Sequence, residues 1–202
     1  NAGSDSGNTQ TNAVLDGNEW VINGSKIFIT NAATDITAGS TVLVRTGVRD
    51  DGKPELSCII VESGTPGFTA QEMHGKLMWR ASNTSELYFE DCRVPKETLL
   101  GPRGQGFHQM MKTLDGGRLS IGAMGLGGAQ GCLDMALKYS QEREQFSRPI
   151  ATFQVNAFKL ADMAMEIECA RLLLYKACWL NDNALPYAKE AAMAKLYCSE
   201  VK

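Results

Sequence analysis

EWVINGSKIFITN, residues 19–31, is the stretch that decides how the first half of the chain folds. Two short runs of β-branched, aromatic and other strand-forming residues flank the dipeptide Asn23-Gly24. Because Asn-Gly adopts positive φ angles easily, it favours the two-residue type I′ turn of a β-hairpin. The stretch therefore predicts two antiparallel strands joined at Asn23-Gly24.

The second of these predicted strands carries the side chains of functional interest. Side chains alternate along a strand, so Lys26, Phe28 and Thr30 are expected on one face. Ile27 and Ile29 are expected on the other face, in a core. A planar heteroaromatic ligand could stack on the Phe28 ring and form a hydrogen bond with the Thr30 hydroxyl. The alternative is an ordinary strand with a half-buried Phe28 and a surface Thr30, since both residue types are common in strands.

The remainder of the first half has the same β character. Runs of strand-forming residues at 41–46, 56–62 and 85–91 alternate with turns that contain glycine or proline. This spacing predicts an antiparallel β-barrel or sandwich domain over residues 1–96.

Residues 97–202 have helical periodicity instead. Helices are predicted from about 106 to 143, from about 152 to 181, and from Pro186 onward. The second helix has one apolar stripe through Phe158, Ala161, Met165, Leu172 and Trp179, and another through Leu160, Ala164, Ile167 and Leu174. A helix that is apolar on two faces belongs inside a bundle. The predicted fold class is therefore α+β, with a β domain followed by a truncated helical bundle or by a helical domain that oligomerises tightly.

The first predicted helix contains seven glycines between positions 116 and 131. Each of them lowers helix stability by up to about 1 kcal/mol relative to alanine. Gly122, Gly125 and Gly128 are three residues apart and share a face, which suggests that another backbone or a ligand approaches closely. The alternative is a kinked, poorly formed segment.

Composition excludes several classes of function. The net charge is −3 and the basic residues are dispersed, which argues against a nucleic-acid or anionic-membrane surface. No apolar run is long enough to span a bilayer. The six cysteines form no C-x-x-C pair and only two histidines are present, so no metal site is predicted and the cysteines are expected to be reduced thiols. The sequence has no nucleophile elbow, Walker loop or dinucleotide-binding glycine motif, so hydrolase and kinase functions have little support.

Three further segments carry groups that suit a nucleotide. GSDSG at 3–7 is a glycine-rich turn whose N–H groups could bind an anion. Asp115 and Arg118 share a helical face, where they could contact a nucleotide or simply form a surface ion pair. Arg143, the QFSR segment at 145–148 and Gln154 could hold an adenine or a pyrophosphate, although Arg143 could equally serve only to cap a helix C-terminus.

The order of these motifs resembles the acyl-CoA dehydrogenase family of flavoproteins. The resemblance covers essentially all 202 residues, and the second half is most similar to the short-chain, butyryl-type branch. It rests on NAGSD at 1–5, KIFITN at 26–31, WRAS at 79–82, FEDCRVP at 89–95, LDGGR at 114–118, ERxxF at 142–146 and KLADMA at 159–164.

The resemblance implies FAD-dependent conversion of a short-chain acyl-CoA to the trans-2-enoyl-CoA. It identifies residues 1–96 with the family's middle β domain and 97–202 with part of its C-terminal bundle, so we expect a piece of a longer protein. It also implies an electron-transferring flavoprotein as acceptor and a homotetramer. The expected compartment is the cytoplasm of a bacterium or the mitochondrial matrix of a eukaryote.

The resemblance further implies roles for individual residues. Contacts with FAD are implied for Ser4, Phe28, Ile29, Thr30, Arg143, Gln145, Phe146 and Gln154. Contacts with the acyl-CoA are implied for Ser4, Asp115, Gly116, Gly117 and Arg118. Thr30 matches the threonine whose hydroxyl bonds near flavin N5, and Arg143, Gln145 and Gln154 match contacts to the FAD of a neighbouring subunit.

No residue of the chain is predicted to be the catalytic base. In most of the family this glutamate lies beyond the position that matches Lys202, and in a minority it lies where this chain has Gly117. Asn83 departs from the family pattern, which commonly has aspartate there. Two alternatives stay open: another flavoprotein of the same fold, such as an acyl-CoA oxidase or flavin hydroxylase, and a non-catalytic oligomerising module.

Overall fold

The computed structural model describes residues 2–201. Asn1, the first residue of the motif at 1–5, and Lys202, the last residue of the predicted third helix, lie outside this range. The chain forms two compact units, one up to Met111 and the other from Lys112 onward. Over residues 2–201, no helix combines the length and the apolar character needed to cross a membrane.

The first unit contains a curled, six-stranded half-barrel sheet. Its strands are β1 (Asn12–Asp16), β2 (Glu19–Thr30), β3 (Gly39–Val48), β4 (Pro54–Glu62), β5 (Phe68–Glu72) and β6 (Thr84–Pro95). They are ordered β4-β3-β1-β2-β6-β5, and all neighbours are antiparallel except β1 and β3. The α+β class is confirmed. The predicted runs at 41–46, 56–62 and 85–91 correspond to the centres of β3, β4 and β6, while β1 and β5 were not predicted.

The predicted hairpin at Asn23-Gly24 is wrong, because β2 continues through this dipeptide. The turn is instead at Gly17, between β1 and β2, where φ is +63°. Gly24 has a φ of +135° and lies at a register shift between β2 and β6. A Cβ added to Gly24 would lie 2.8 Å from Thr11 Cα, so the glycine permits close packing of β1 rather than a chain reversal.

The simple alternation predicted for residues 26–30 is also wrong. A bulge between Lys26 and Ile29 inserts one residue relative to β6, and Phe28 has a φ of +64°. Ile29 packs against the core as expected, but Ile27 is 50 % exposed. The physical reason is that an inserted residue shifts the side-chain period, so Ile27 and Ile29 no longer share a buried face.

The sheet buries one apolar core. Ile22, Val44, Ile59 and Val61 have no exposed surface, and each large side chain buried in this way stabilises the fold by roughly 1.5–3 kcal/mol. Phe68 and Phe89 stack with their ring centroids 5.0 Å apart, which joins β5 to β6. The core thereby holds β2 and β6, the two longest strands, side by side.

The helices are α1 (Gly106–Glu142), α2 (Gln154–Asp182) and α3 (Ala188–Glu200), close to the predicted bounds. In α2, Ile167 and Leu174 are buried, whereas the other apolar stripe is largely exposed in this chain, through Phe158, Met165, Leu172 and Trp179. The burial predicted for the stripe that contains Phe158 is therefore not found among the described residues.

The glycines of α1 confirm close approach of another backbone. A Cβ on Gly125 would lie 2.5 Å from the carbonyl oxygen of Cys198, and a Cβ on Gly122 would lie 3.7 Å from Lys195 Cα. Both contacts are with α3. The 2.5 Å distance leaves no room for a Cβ, so Gly125 allows α1 and α3 to pack backbone against backbone, whereas a Cβ on Gly122 would make only an ordinary van der Waals contact with the α3 backbone.

Candidate functional site

The bulge in β2 presents Phe28 and Thr30 to solvent. The Phe28 ring is 68 % exposed, and Thr30 is exposed at the end of the strand, where it pairs with Thr84. Within residues 2–201 the Thr30 hydroxyl has no hydrogen-bond partner. Ile29, between them, packs on the core and anchors the bulge. An exposed aromatic ring and an exposed hydroxyl within one bulge suit a planar ligand with polar ring atoms.

The segment after β2 is tied to the start of β6. Asn31 donates its backbone N–H to the Asn83 carbonyl (3.0 Å), and the Ala33 N–H donates to the Ser85 hydroxyl (3.1 Å). The Ser85 hydroxyl in turn donates to the Asn83 side-chain oxygen (2.9 Å). Asn83, the residue that departs from the family pattern, therefore takes part in fixing the loop beside Thr30.

Lys26 lies two residues before Phe28 and is partly buried. Burial lowers the pKa of the Lys26 ammonium to about 8, and this effect exceeds the opposing effect of the nearby Cys58. Burial raises the pKa of the Cys58 thiol. Lys26 therefore loses its charge more readily than an ordinary surface lysine.

A cavity of about 410 Å³ lies in the same unit, beside the glycine-rich turn. Its lining residues come from that turn and the residue after it, from the β3–β4 connection and the first part of β4, and from the junction that leads into α1: Asp5, Gly7, Asn8, Arg49, Lys53, Pro54, Leu56, Gly104 and Phe107. Ser4 is exposed and precedes the lining residues. The sequence pointed to the turn but not to Arg49, Lys53 or Phe107, because three separated segments must fold together to form the cavity.

The two cations of this cavity are only loosely paired. Arg49 Nε lies 3.7 Å from one Asp51 oxygen and Lys53 Nζ lies 3.8 Å from the other, so both are beyond hydrogen-bond distance. The Phe107 ring lies beside Gly7, whose added Cβ would be 4.0 Å from Phe107 Cε2. Cations, glycine-turn amides and an aromatic ring together suit the phosphate and base of a nucleotide.

A polar network connects the junction before α1 to the sheet. Arg103 Nε donates to Glu55 (2.6 Å), and another guanidinium nitrogen of Arg103 donates to the Thr46 carbonyl (2.6 Å). The Thr46 hydroxyl is 2.9 Å from Glu55 and 2.8 Å from the Ser57 hydroxyl. Burial alone would raise the pKa of Glu55, but hydrogen bonds from Arg103 and Thr46 and the charge of Arg103 outweigh it and lower the pKa.

In the second unit, Arg118 and Asp115 form the i,i+3 ion pair that their spacing predicts. Their side chains are 40 % and 25 % exposed, so both remain accessible to a ligand. Gly117 adjoins open space, since a Cβ there would have no neighbour within 4 Å. A Cβ on Gly116 would lie 4.0 Å from the Tyr187 hydroxyl.

The segment after α1 forms a small hairpin of two strands, β7 (Glu144–Gln145) and β8 (Arg148–Pro149). Its turn residues Phe146 and Ser147 have φ angles of +52° and +57°, typical of a type I′ turn, although neither is glycine. Phe146 is 90 % exposed at the tip. The hairpin therefore displays an aromatic ring on a strained turn.

Aromatic and polar side chains surround the hairpin of β7 and β8. The Phe146 ring meets Phe153 edge-on at 6.0 Å, and the Arg148 guanidinium lies over Phe153 at 4.3 Å. Arg143, Gln145 and Gln154 are exposed around the same hairpin. Of the predicted site residues, Ser4 and 28–30 thus lie in the first unit, and the others lie in the second.

Comparison with known proteins identifies the origin of this arrangement. The profile of the acyl-CoA dehydrogenase middle domain matches residues 1–92, and that of the acyl-CoA dehydrogenase C-terminal domain matches residues 104–202. A probable acyl-CoA dehydrogenase of Bacillus subtilis is 51 % identical, over 100 % of this chain and 52 % of its own length. The short-chain specific acyl-CoA dehydrogenase of Clostridium acetobutylicum is 48 % identical, with the same coverage.

Solved structures agree with these matches. Butyryl-CoA dehydrogenase from Megasphaera elsdenii has a TM-score of 0.92 and 42 % identity, over 100 % of this chain and 52 % of that one. A chain in a structure of the electron transferring flavoprotein of Acidaminococcus fermentans has a TM-score of 0.89 and 47 % identity, over 99 % and 52 %. The chain thus spans about half the length of the relatives that it matches.

Proposed function

The chain belongs to the acyl-CoA dehydrogenase family, and on that premise we propose that it serves the FAD-dependent α,β-dehydrogenation of a short-chain acyl-CoA thioester. The names of the similar proteins support the short-chain substrate class. Because the chain spans about half of these relatives, the activity belongs to the whole protein.

The bulge in β2 carries the proposal for FAD. Its exposed Phe28 ring fits the face of a flavin, and the Thr30 hydroxyl has a free hydrogen-bonding position at the same strand end. A bound FAD would supply the acceptor for the hydride that leaves the β-carbon of the thioester. Ile29 holds the bulge to the core, so that ring and hydroxyl keep a constant spacing. Ser4 would add a hydroxyl from the glycine-rich turn.

A second set of contacts to FAD would come from a neighbouring subunit. Arg143, Gln145, Phe146 and Gln154 surround the exposed hairpin, which suits an intermolecular contact with adenine and pyrophosphate groups. The exposed apolar stripe of α2 is consistent with assembly, and we propose a homotetramer.

Two sets of charged groups, one in each unit, are separate candidates for contacts with the acyl-CoA. Asp115 and Arg118, with Gly116 and Gly117 between them, offer one acceptor, one cation and open backbone. Ser4 would contribute a hydroxyl. In the β unit, the cavity lined by Arg49, Lys53 and Phe107 suits the phosphate and adenine of the nucleotide end.

We assign the proton-abstracting base to no residue of this chain. The position beside Arg118 that could supply it is Gly117, which has no side chain. Asp115 already pairs with Arg118, and the resemblance directs it to the nucleotide end of the substrate, far from the thioester. An electron-transferring flavoprotein is the proposed acceptor, and bacterial cytoplasm or mitochondrial matrix is the proposed compartment.

The first test is a titration of the purified chain with FAD, followed by visible absorption. Thr30→Val removes the hydroxyl at nearly constant volume and should weaken FAD binding about fivefold, the equivalent of one hydrogen bond of about 1 kcal/mol. Thr69→Val is the control, because Thr69 is an exposed threonine elsewhere in the sheet. Equal affinity of the wild type and Thr30→Val would refute the assigned role of Thr30.

A second measurement separates dehydrogenase from oxidase or hydroxylase chemistry. The flavin-loaded chain is reduced and then exposed to air. Slow reoxidation supports the dehydrogenase, whereas rapid reoxidation supports one of the oxygen-using alternatives. Absence of any flavin binding, together with a stable oligomer, would support the non-catalytic module.

A further inference from the structure

We propose that Arg103 is a positioning residue for the cavity: it holds the Gly104–Phe107 wall against the sheet and so determines how tightly the cavity binds its ligand. This inference rests on the proposed function, in which the cavity takes the nucleotide end of an acyl-CoA. Arg103 itself does not line the cavity. Its effect would therefore pass through the backbone that follows it.

The wall is attached to the sheet at three nearby residues. Arg103 bonds to Glu55 and to the Thr46 carbonyl, each at 2.6 Å. The Gly104 N–H donates to the Ser57 hydroxyl at 2.9 Å. Gly106 lies so close to β4 that an added Cβ would be 2.5 Å from the Ser57 carbonyl carbon. Phe107, the next residue, lines the cavity.

The attachments form one connected hydrogen-bond chain. Gly104 N–H can only donate and Glu55 can only accept, so the Ser57 and Thr46 hydroxyls between them must each donate toward Glu55 for every group to be satisfied. Ser57 is fully buried and Thr46 nearly so. Arg103 completes the chain at the carboxylate. Bonds in such a chain strengthen one another, so loss of Arg103 loosens the attachment of Gly104 as well.

The geometry of arginine is essential to this role. A planar guanidinium can donate to the Glu55 carboxylate and to the Thr46 carbonyl at the same time, whereas a lysine ammonium is a point charge on a flexible stem. The substitution Arg103→Lys would keep the positive charge near the cavity but not the two simultaneous hydrogen bonds to Glu55 and Thr46. It therefore separates positioning from simple attraction of a phosphate.

Calorimetric titration of the purified chain with butyryl-CoA tests the proposal. We expect Arg103→Met and Arg103→Lys each to weaken binding at least about fivefold, a fraction of the effect of losing a charge-assisted hydrogen bond. Arg93→Met is the matched control, since Arg93 joins Asp16 and Glu19 on the same sheet with similar exposure. Wild-type affinity in Arg103→Lys would overturn the proposal, because charge alone would then suffice.

The double variant Arg103→Met with Glu55→Gln tests whether weak binding results only from leaving the Glu55 carboxylate unpaired. If weak binding arose only from an unpaired carboxylate, the neutral amide introduced by Glu55→Gln would restore it. Positioning predicts that binding stays weak, and restored binding would overturn the proposal.

Trp20 provides a spectroscopic signal whose response to ligand would not be changed by a general loss of stability. It is buried, and the Arg103 guanidinium carbon lies 5.6 Å from its ring centroid. In protein labelled with 5-fluorotryptophan, butyryl-CoA should shift the Trp20 fluorine resonance in the wild type but not in Arg103→Met. The resonance is assigned with Trp20→Phe. A ligand-induced shift that persists in Arg103→Met would contradict the coupling.

These measurements distinguish two kinds of failure. If the wild type binds no butyryl-CoA, or if Phe107→Ala and Lys53→Ala leave its affinity unchanged, the proposed use of the cavity is wrong. If those two variants weaken binding while the Arg103 variants do not, the cavity assignment stands and the positioning role is wrong.

Discussion

Replacing Gly125 by alanine tests whether α1 and α3 pack through their backbones. A Cβ at this position would lie 2.5 Å from the Cys198 carbonyl oxygen and 3.1 Å from its carbonyl carbon. Both atoms belong to the backbone of α3, so they cannot swing aside as the end of a side chain could. Relief requires α3 to move away from α1, which disturbs the buried contacts of Leu126 and Ala194.

Two opposing terms determine the size of the effect. Alanine favours the helix by up to about 1 kcal/mol relative to glycine. Overpacking of a close contact costs about 1–3 kcal/mol, and an immobile backbone obstacle places this cost at the upper end. We therefore expect Gly125→Ala to lower the free energy of unfolding by about 2 kcal/mol.

Gly127→Ala is the matched control in the same helix. A Cβ at Gly127 has no neighbour within 4 Å, so the substitution should raise the free energy of unfolding by up to about 1 kcal/mol. The helix-propensity contribution is common to both variants. Their difference, about 3 kcal/mol, therefore isolates the clash with α3.

Urea denaturation followed by circular dichroism at 222 nm measures this difference, because the signal comes mainly from the helical unit. In thermal unfolding, a loss of about 2 kcal/mol corresponds to a decrease in Tm of about 4–8 °C. If Gly125→Ala is as stable as Gly127→Ala, then α1 and α3 do not approach as described, and the explanation for the glycines of α1 is wrong.

Three further outcomes are expected. The pKa of Lys26 is lower in the folded chain than in the unfolded chain, so the unfolded state binds more protons above pH 8. The free energy of unfolding of the wild type should therefore rise relative to that of Lys26→Met between pH 8 and pH 9. Parallel pH profiles of the two proteins would contradict this. Arg118→Gln should change the free energy of unfolding by less than about 1 kcal/mol, since the ion pair of Arg118 with Asp115 is partly exposed. Calorimetry should nevertheless show that the variant binds butyryl-CoA at least about tenfold more weakly than the wild type. Equal affinity of the two proteins would exclude Arg118 from the site. Ser147→Gly should raise the free energy of unfolding by about 0.5–1 kcal/mol because it relieves a positive φ angle, and a lower Tm would indicate that this angle carries no strain.

Local sequence patterns predicted the secondary structure well where local physics determines it. The helix bounds follow from periodicity along α1 and α2, and the cores of β3, β4 and β6 follow from runs of β-forming residues. Backbone hydrogen bonding and amphipathic periodicity act within a few turns or pleats, so a sequence window contains them. The family resemblance likewise depended on the order of short motifs, and the profile matches confirm it.

Asn23-Gly24 shows where local inference failed. Its composition is that of a turn, yet the glycine lies within a strand because Thr11 packs against it. The bulge at Phe28 likewise depends on a distant segment, since it is defined by the pairing register between β2 and β6. Neither cause lies in the neighbouring residues, so no window around them could have revealed it.

The sequence by itself determined the family, the α+β class, the helices and the residue types that the proposed site can use. Only the tertiary structure decided the exposure of Phe28, the closeness of Gly125 to Cys198, and the cavity that joins Arg49 and Lys53 to Phe107. The physical reason is range: hydrogen-bonding and helical periodicity act between near neighbours in the chain, whereas these features arise from contacts between segments that are distant in sequence.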